Sequence, residues 1–167
     1  MLKWVRKHLT LIFLLTLALP LGGCPNGESP VAREPSPPLD LVLFDGTEFS
    51  LATKLGSPVM INFFASWCIP CGEEASALEK VYQEYSPKGV QFLGVALQDT
   101  EEKAKGFVSE KGITFPTGID MTGKIKDDFG VYGMPTTYFI DREGRVSYLH
   151  AGGVTEALLK YELDKLI

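Results

Sequence analysis

The run Val59-Met-Ile-Asn-Phe-Phe64 restricts the fold more than any other stretch of the chain. Five of its six residues are apolar, and punctuation by Gly56-Ser57-Pro58 makes it too short for a core helix, so it reads as a buried central strand. Ala65-Ser66-Trp67 follows, then Cys68-Ile69-Pro70-Cys71. From there Cys71, Glu74, Ala75, Leu78, Val81, Tyr82 and Tyr85 recur at helical spacing. A buried strand that feeds directly into an amphipathic helix calls for a layered α/β fold. It also delivers two cysteines to the start of that helix.

The flanking sequence continues this alternation. Leu39–Phe44 and Thr47–Leu51 are short β-type runs joined at Asp45-Gly46, a hairpin signal. Ser86-Pro87-Lys88-Gly89 ends the cysteine helix, and Val90–Leu97 is a second apolar strand. Thr100–Lys111 fits a helix burying Ala104, Phe107 and Val108. Ile113–Asp120 supplies a short strand and Thr122–Phe129 a short helix. Gly133-Met134-Pro135 leads into strand Thr136–Ile140, and Asp141-Arg-Glu-Gly144 turns it into strand Arg145–His150. Thr155 caps a last helix through Leu158, Leu159, Leu163 and Leu166. Alternation predicts parallel strands, and the terminal pair adds antiparallel ones.

The first 38 residues have a different character. Lys3, Arg6, Lys7 and His8 precede an apolar run from Leu9 to Leu19, shorter than the roughly 20 residues a spanning helix needs. That is the layout of a secretory signal over residues 1–23. Leu21-Gly22-Gly23-Cys24 resembles the lipobox of bacterial lipoproteins, which implies cleavage before Cys24 and lipid on its thiol. An uncleaved anchor, or a simple signal with an incidental cysteine, are the alternatives. Residues 25–38 hold five prolines and no hydrophobic period, so residues 24–38 read as a tether and 39–167 as the domain. In extended polyproline form, at roughly 3.1 Å each, the 14 tether residues after Cys24 reach about 43 Å. Removal of the leader takes away three basic side chains and no acid, moving the net charge from -5 to −8. Such a surface disfavours nucleic acid and anionic lipid headgroups as partners.

A lipid on Cys24 leaves Cys68 and Cys71 as the free thiols. Disulfide exchange needs an accessible thiolate and a resolving thiol within reach. At a helix start, unpaired N–H groups and the helix dipole favour the thiolate on the first cysteine. Cys68 is thus the expected nucleophile and Cys71 the resolving thiol, with Pro70 in the first turn, where its missing N–H costs nothing. The competing reading, half of a zinc site, lacks ligands: four are needed, and the mature sequence offers one histidine, His150, and no third free cysteine. No metal or other cofactor is called for.

Trp67-Cys-Ile-Pro-Cys71, the strand before it, and Met134-Pro135-Thr136 resemble thioredoxin-fold oxidoreductases. The N-terminal hairpin and the long interval from Cys71 to Pro135 are similar to the membrane-tethered TlpA/ResA-type family. The resemblance covers most of residues 39–167. It implies a thioredoxin-like fold with an N-terminal β-hairpin and a βα insertion, its central mixed sheet flanked by helices. It also implies a cis Pro135 beside the cysteines; the alternative is an ordinary trans turn. Glu74 shares the helix's apolar stripe while Glu73 points away, so its carboxyl should be desolvated, raised in pKa and able to relay protons for Cys71. Thioredoxin has an Asp where this chain has Asn62, and the TlpA/ResA pattern supports Glu74 instead; a solvated surface glutamate is the plain alternative. Trp67 and Met134 are expected to line the substrate groove with Pro135 and Thr136, whereas His150 reads as structural or exposed.

The resulting expectation is an extracytoplasmic, lipid-anchored, monomeric thiol–disulfide oxidoreductase acting on protein thiols. By resemblance it is a reductant of the cytochrome c maturation or metal-site assembly type, supplied with electrons by a transmembrane thiol-transfer protein. A disulfide-forming oxidant is the alternative within the enzyme class. A copper carrier, or a non-catalytic binding lipoprotein, is the alternative outside it. A peroxiredoxin would need a Thr-x-x-Cys site, and Ala65 stands where that threonine would be.

Overall fold

Val59–Phe64 (β3) is buried at every residue because it is paired on both sides. It runs parallel to Gln91–Leu97 (β4) and antiparallel to Thr136–Ile140 (β6). The structure, a computed structural model, describes residues 33–167. The signal segment 1–23, Cys24 and tether residues 25–32 lie outside the described residues.

The sheet is completed by Thr117–Asp120 (β5), parallel to β4, and Val146–Ala151 (β7), antiparallel to β6, giving the order β5-β4-β3-β6-β7. Asp40–Val42 (β1) and Glu48–Ser50 (β2) form a separate antiparallel pair. The helices are Ile69–Tyr85 (α1), Glu101–Glu110 (α2), Lys124–Asp128 (α3) and Glu156–Asp164 (α4). The mixed sheet, the hairpin and the βα insertion of β5 and α3 are thus as expected.

Strand alternation divides the core in two. Val59, Ile61 and Phe63 face one side, with Phe49, Val95, Ile125, Phe129 and Tyr138. Met60 faces the other, with Phe92 and Phe139, under Leu78 and Val81 of α1 and Leu159 and Leu163 of α4. Asn62 shares this second side, so the only polar residue of β3 points at α1.

Several boundaries differ from expectation by one or more residues, and the larger differences have backbone causes. β5 begins at Thr117 rather than Ile113, because Pro116 has no N–H to give and Thr114 is engaged by Glu79. β1 stops at Val42 because the Thr47 N–H turns to the Asp45 carboxylate and the Leu43 carbonyl takes the Gly46 N–H instead. The stretch before β1 also meets the sheet: the Val146 N–H donates to the Glu34 carbonyl and the Ser36 N–H to Gly144, at the outer edge of β7. On the opposite edge, Phe44 N–H donates to Thr117 and the hairpin crosses Gly118 so closely that a Cβ there would lie 2.6 Å from the Val42 carbonyl oxygen. Glycine is required at that crossing.

Candidate active site

β3 ends at Phe64, and the turn that follows is held from the end of β4. Asp99 accepts from the Ser66 N–H at 2.6 Å and from its hydroxyl at 3.0 Å. The Trp67 indole N–H donates to the Gln98 carbonyl at 3.0 Å, and Gln98 takes a left-handed φ of 51° to present it. Cys68 then caps α1, its sulfur accepting from the Cys71 N–H at 3.3 Å. Cys68 and Cys71 are joined in a disulfide, with Cα atoms 5.3 Å apart. Cys68 is 6% exposed and Cys71 2%. Trp67 and Ile69 stand out beside them, 59% and 77% exposed.

Met134-Pro135 is a cis peptide bond. Met134 packs against the cluster that contains Cys68, Cys71, Phe64 and Phe107, which brings the proline loop to the disulfide. The loop is closed by Thr136 Oγ donating to the Gly133 carbonyl and by the Gly152 N–H donating to Pro135. Thr136 is largely buried, and its hydroxyl holds the loop at the edge of a cleft that it helps to line. One cleft opens beside Cys68 and another along the proline loop. The first, of 370 Å³, is bounded by Trp67, Cys68, Gly72, Phe107 and Lys111; the second, of 270 Å³, by Tyr132, Met134, Pro135 and Leu149.

Glu74 is 3% exposed beneath α1, on the face that carries Cys71. Its Oε1 accepts from Asn62 Nδ2 and its Oε2 from the Val154 N–H, each at 2.8 Å. Burial raises its pKa to about 7, against the two hydrogen bonds, which favour the carboxylate. A neutral carboxyl therefore persists close to neutral pH. The native state holds a proton between 4.5 and about 7 that the unfolded chain has released. Glu74's contribution to stability is thus complete below 4.5 and lost as pH rises through about 7.

A family model described as AhpC/TSA matches residues 32–149. A thiol-disulfide oxidoreductase ResA from Halalkalibacterium halodurans is 30% identical over 94% of this chain and 90% of its own length. The chain belongs to the AhpC/TSA family, among its ResA-type thiol-disulfide oxidoreductases. A second ResA, from Oceanobacillus iheyensis, is 38% identical over 66% of this chain, which spans 58% of that relative. A thioredoxin-family thiol:disulfide interchange protein from Chlorobium tepidum superposes with a TM-score of 0.74 at 28% identity, covering 80% of this chain and 96% of that one. This ResA-type enzyme carries the redox-active pair at Cys68 and Cys71.

Several site residues escaped the sequence reading. Asp99 and Gln98 follow an apolar strand at its C-terminal end, where α/β folds gather their functional groups; that position was their one signal. Tyr132, 99% exposed beside the proline loop, had none. Val154 acts through its backbone, which no side-chain pattern announces. His150, which the sequence presents as structural or exposed, lies 3.3 Å from the carbonyl of the peptide group whose N–H reaches Glu74. Among the described residues there is no group of three or more His, Cys, Asp or Glu side chains poised for a metal, and no helix long and apolar enough to cross a membrane.

Proposed function

We propose that this enzyme works outside the cytoplasm, held to a membrane by lipid on Cys24, as a reductant of protein disulfides. The observation that carries the reading is the Cys68–Cys71 pair at the N-terminus of α1, with the cis-proline loop packed against it and a buried carboxyl beneath. The basic start, short apolar core and Leu-Gly-Gly-Cys24 support the location.

In the forward reaction the Cys68 thiolate attacks one sulfur of a client disulfide, forming a mixed disulfide and expelling one client thiolate. Cys71 loses its proton to the Glu74 carboxylate, and its thiolate attacks Cys68 Sγ. The second client thiolate leaves and the Cys68–Cys71 disulfide forms. The client has gained two electrons, and protons from Glu74 and water complete its thiols. A transmembrane thiol-transfer protein returns the electrons by the reverse exchange. Trp67, Met134 and Pro135 offer the client's contact surface, with Thr136 fixing the loop. Clients of the cytochrome c maturation or metal-site assembly type meet the requirement, because their cysteines must be reduced before use.

Rapid alkylation of intact cells tests the direction. The Cys68–Cys71 pair should be trapped chiefly as dithiol; a pair trapped chiefly as disulfide would establish the oxidant instead. Glu74→Gln tests the proton relay. Exchange by the native enzyme should quicken as pH rises through about 7, where Glu74 becomes a base. The variant should lose that step and run about a hundredfold slower at about pH 8, the gap narrowing toward about pH 6. Superimposable profiles would remove Glu74 from the chemistry.

A further inference from the structure

His150 lies outside the cysteine motif, yet the sheet lines it up under Glu74. Asn62 of β3 pairs with Thr137 of β6, and Thr137 pairs with His150 of β7. Partners in adjacent strands share a face, so three polar side chains form a row on the side covered by α1 and α4. Their neighbours on that side, Met60, Leu78, Phe139 and Leu159, are apolar. At one end of the row Asn62 Nδ2 donates to Glu74 Oε1 at 2.8 Å and to Thr137 Oγ1 at 3.1 Å.

At the other end His150 Nε2 lies 3.3 Å from the Gly153 carbonyl oxygen. That oxygen only accepts, so Nε2 carries the proton. Nδ1 is then free to accept from the Tyr148 hydroxyl, 3.5 Å away, and one neutral tautomer satisfies both contacts. The Gly153 carbonyl belongs to the same peptide group as the Val154 N–H, which donates to Glu74 Oε2 at 2.8 Å. A hydrogen bond accepted at one end of an amide polarises it and strengthens the donor at the other. The two side chains are therefore linked through a single peptide plane.

We propose that His150 is a positioning residue for Glu74, acting through the Gly153–Val154 peptide group to govern when Glu74 releases its proton. The titratable groups about His150 are few. Its own strand supplies Tyr148, and α1 supplies Glu74. β6 presents the neutral Thr137. From the α4 side Lys165 lies 5.9 Å from the Tyr148 ring centre and is paired with Glu162 at 2.5 Å. The Nε2–H donor, acting through the peptide group, favours the Glu74 carboxylate, so removing His150 raises the pH at which Glu74 ionises.

The consequence for exchange rests on Glu74 being the proton relay; the effect on Glu74 itself does not. The test is a carboxyl-carbon NMR titration of Glu74 in the full chain, oxidised, for the native enzyme, His150→Phe and His150→Gln. The Phe variant should titrate about half a unit higher, and the Gln variant, which keeps an N–H donor, should recover at least half of that shift. A Phe titration that overlays the native one overturns the proposal, and so does an equal shift in Phe and Gln, which would show that the Nε2–H donor plays no part. A matching thermal melt excludes unfolding as the cause. If the NMR shift appears while Glu74→Gln leaves the exchange profile unchanged, the relay reading fails and the positioning of Glu74 stands.

Discussion

Cys68→Ser is expected to abolish insulin reduction, with a loss of at least about a thousandfold, because a serine hydroxyl does not ionise at neutral pH and cannot attack a disulfide. Cys68 is the right cysteine to remove. It caps α1, where N–H groups and the helix dipole stabilise its thiolate, and its sulfur accepts from the Cys71 N–H at 3.3 Å. It also borders the open cleft beside Trp67, while Cys71 is tucked beneath. Cys71→Ser should behave differently. It retains the attacking thiol and lacks the resolving one, so a Cys68–client mixed disulfide should accumulate and be identifiable by mass. Equal insulin reduction by the native enzyme and both variants would overturn the oxidoreductase assignment.

Phe63→Ala should cost about 3–5 kcal/mol, the range for deleting a fully buried phenylalanine, and lower the melting temperature by roughly 10 °C. Phe63 is 0% exposed, and its ring meets Phe129 at 5.4 Å and Tyr138 at 5.9 Å between centroids. Phe129 and Tyr138 also pack edge to face, and the Tyr138 hydroxyl donates to the Phe129 carbonyl. This triad joins β3, the segment after α3, and β6. Because Phe63 pairs with Thr136, the cavity would open directly below the proline loop. Denaturant and thermal unfolding should both report the loss. Tyr132→Ala, at a 99% exposed ring, should change stability by less than about 0.5 kcal/mol. Equal stability of Phe63→Ala and the native chain would contradict the packing described.

Legibility in the sequence followed the range of each interaction. The strand–turn–helix of Val59–Tyr85 was readable because both periodicities and the cysteine spacing are local. The inward face of Glu74 was readable too, since it follows from three residues' separation from Cys71 on one helix. The end of β1 and the start of β5 differ from the sequence reading because backbone partners decide them. Glu34 and Ser36 join the sheet edge through main-chain groups, which a proline-rich sequence conceals. Asp99 and Gln98 hold the turn before Cys68 from more than thirty residues away in sequence.

The sequence by itself determined an α/β domain, its order of strands and helices, the redox pair Cys68 and Cys71, and a carboxyl on the buried stripe of their helix. Each of these follows from residue type and short-range spacing. Only the tertiary structure decided what surrounds that carboxyl: Asn62 twelve residues before it, Val154 eighty residues after it, and His150 behind the Gly153 carbonyl. The protonation of Glu74 depends on desolvation and on two donors, one from β3 and one from the loop after β7, and those meet only when the sheet has closed.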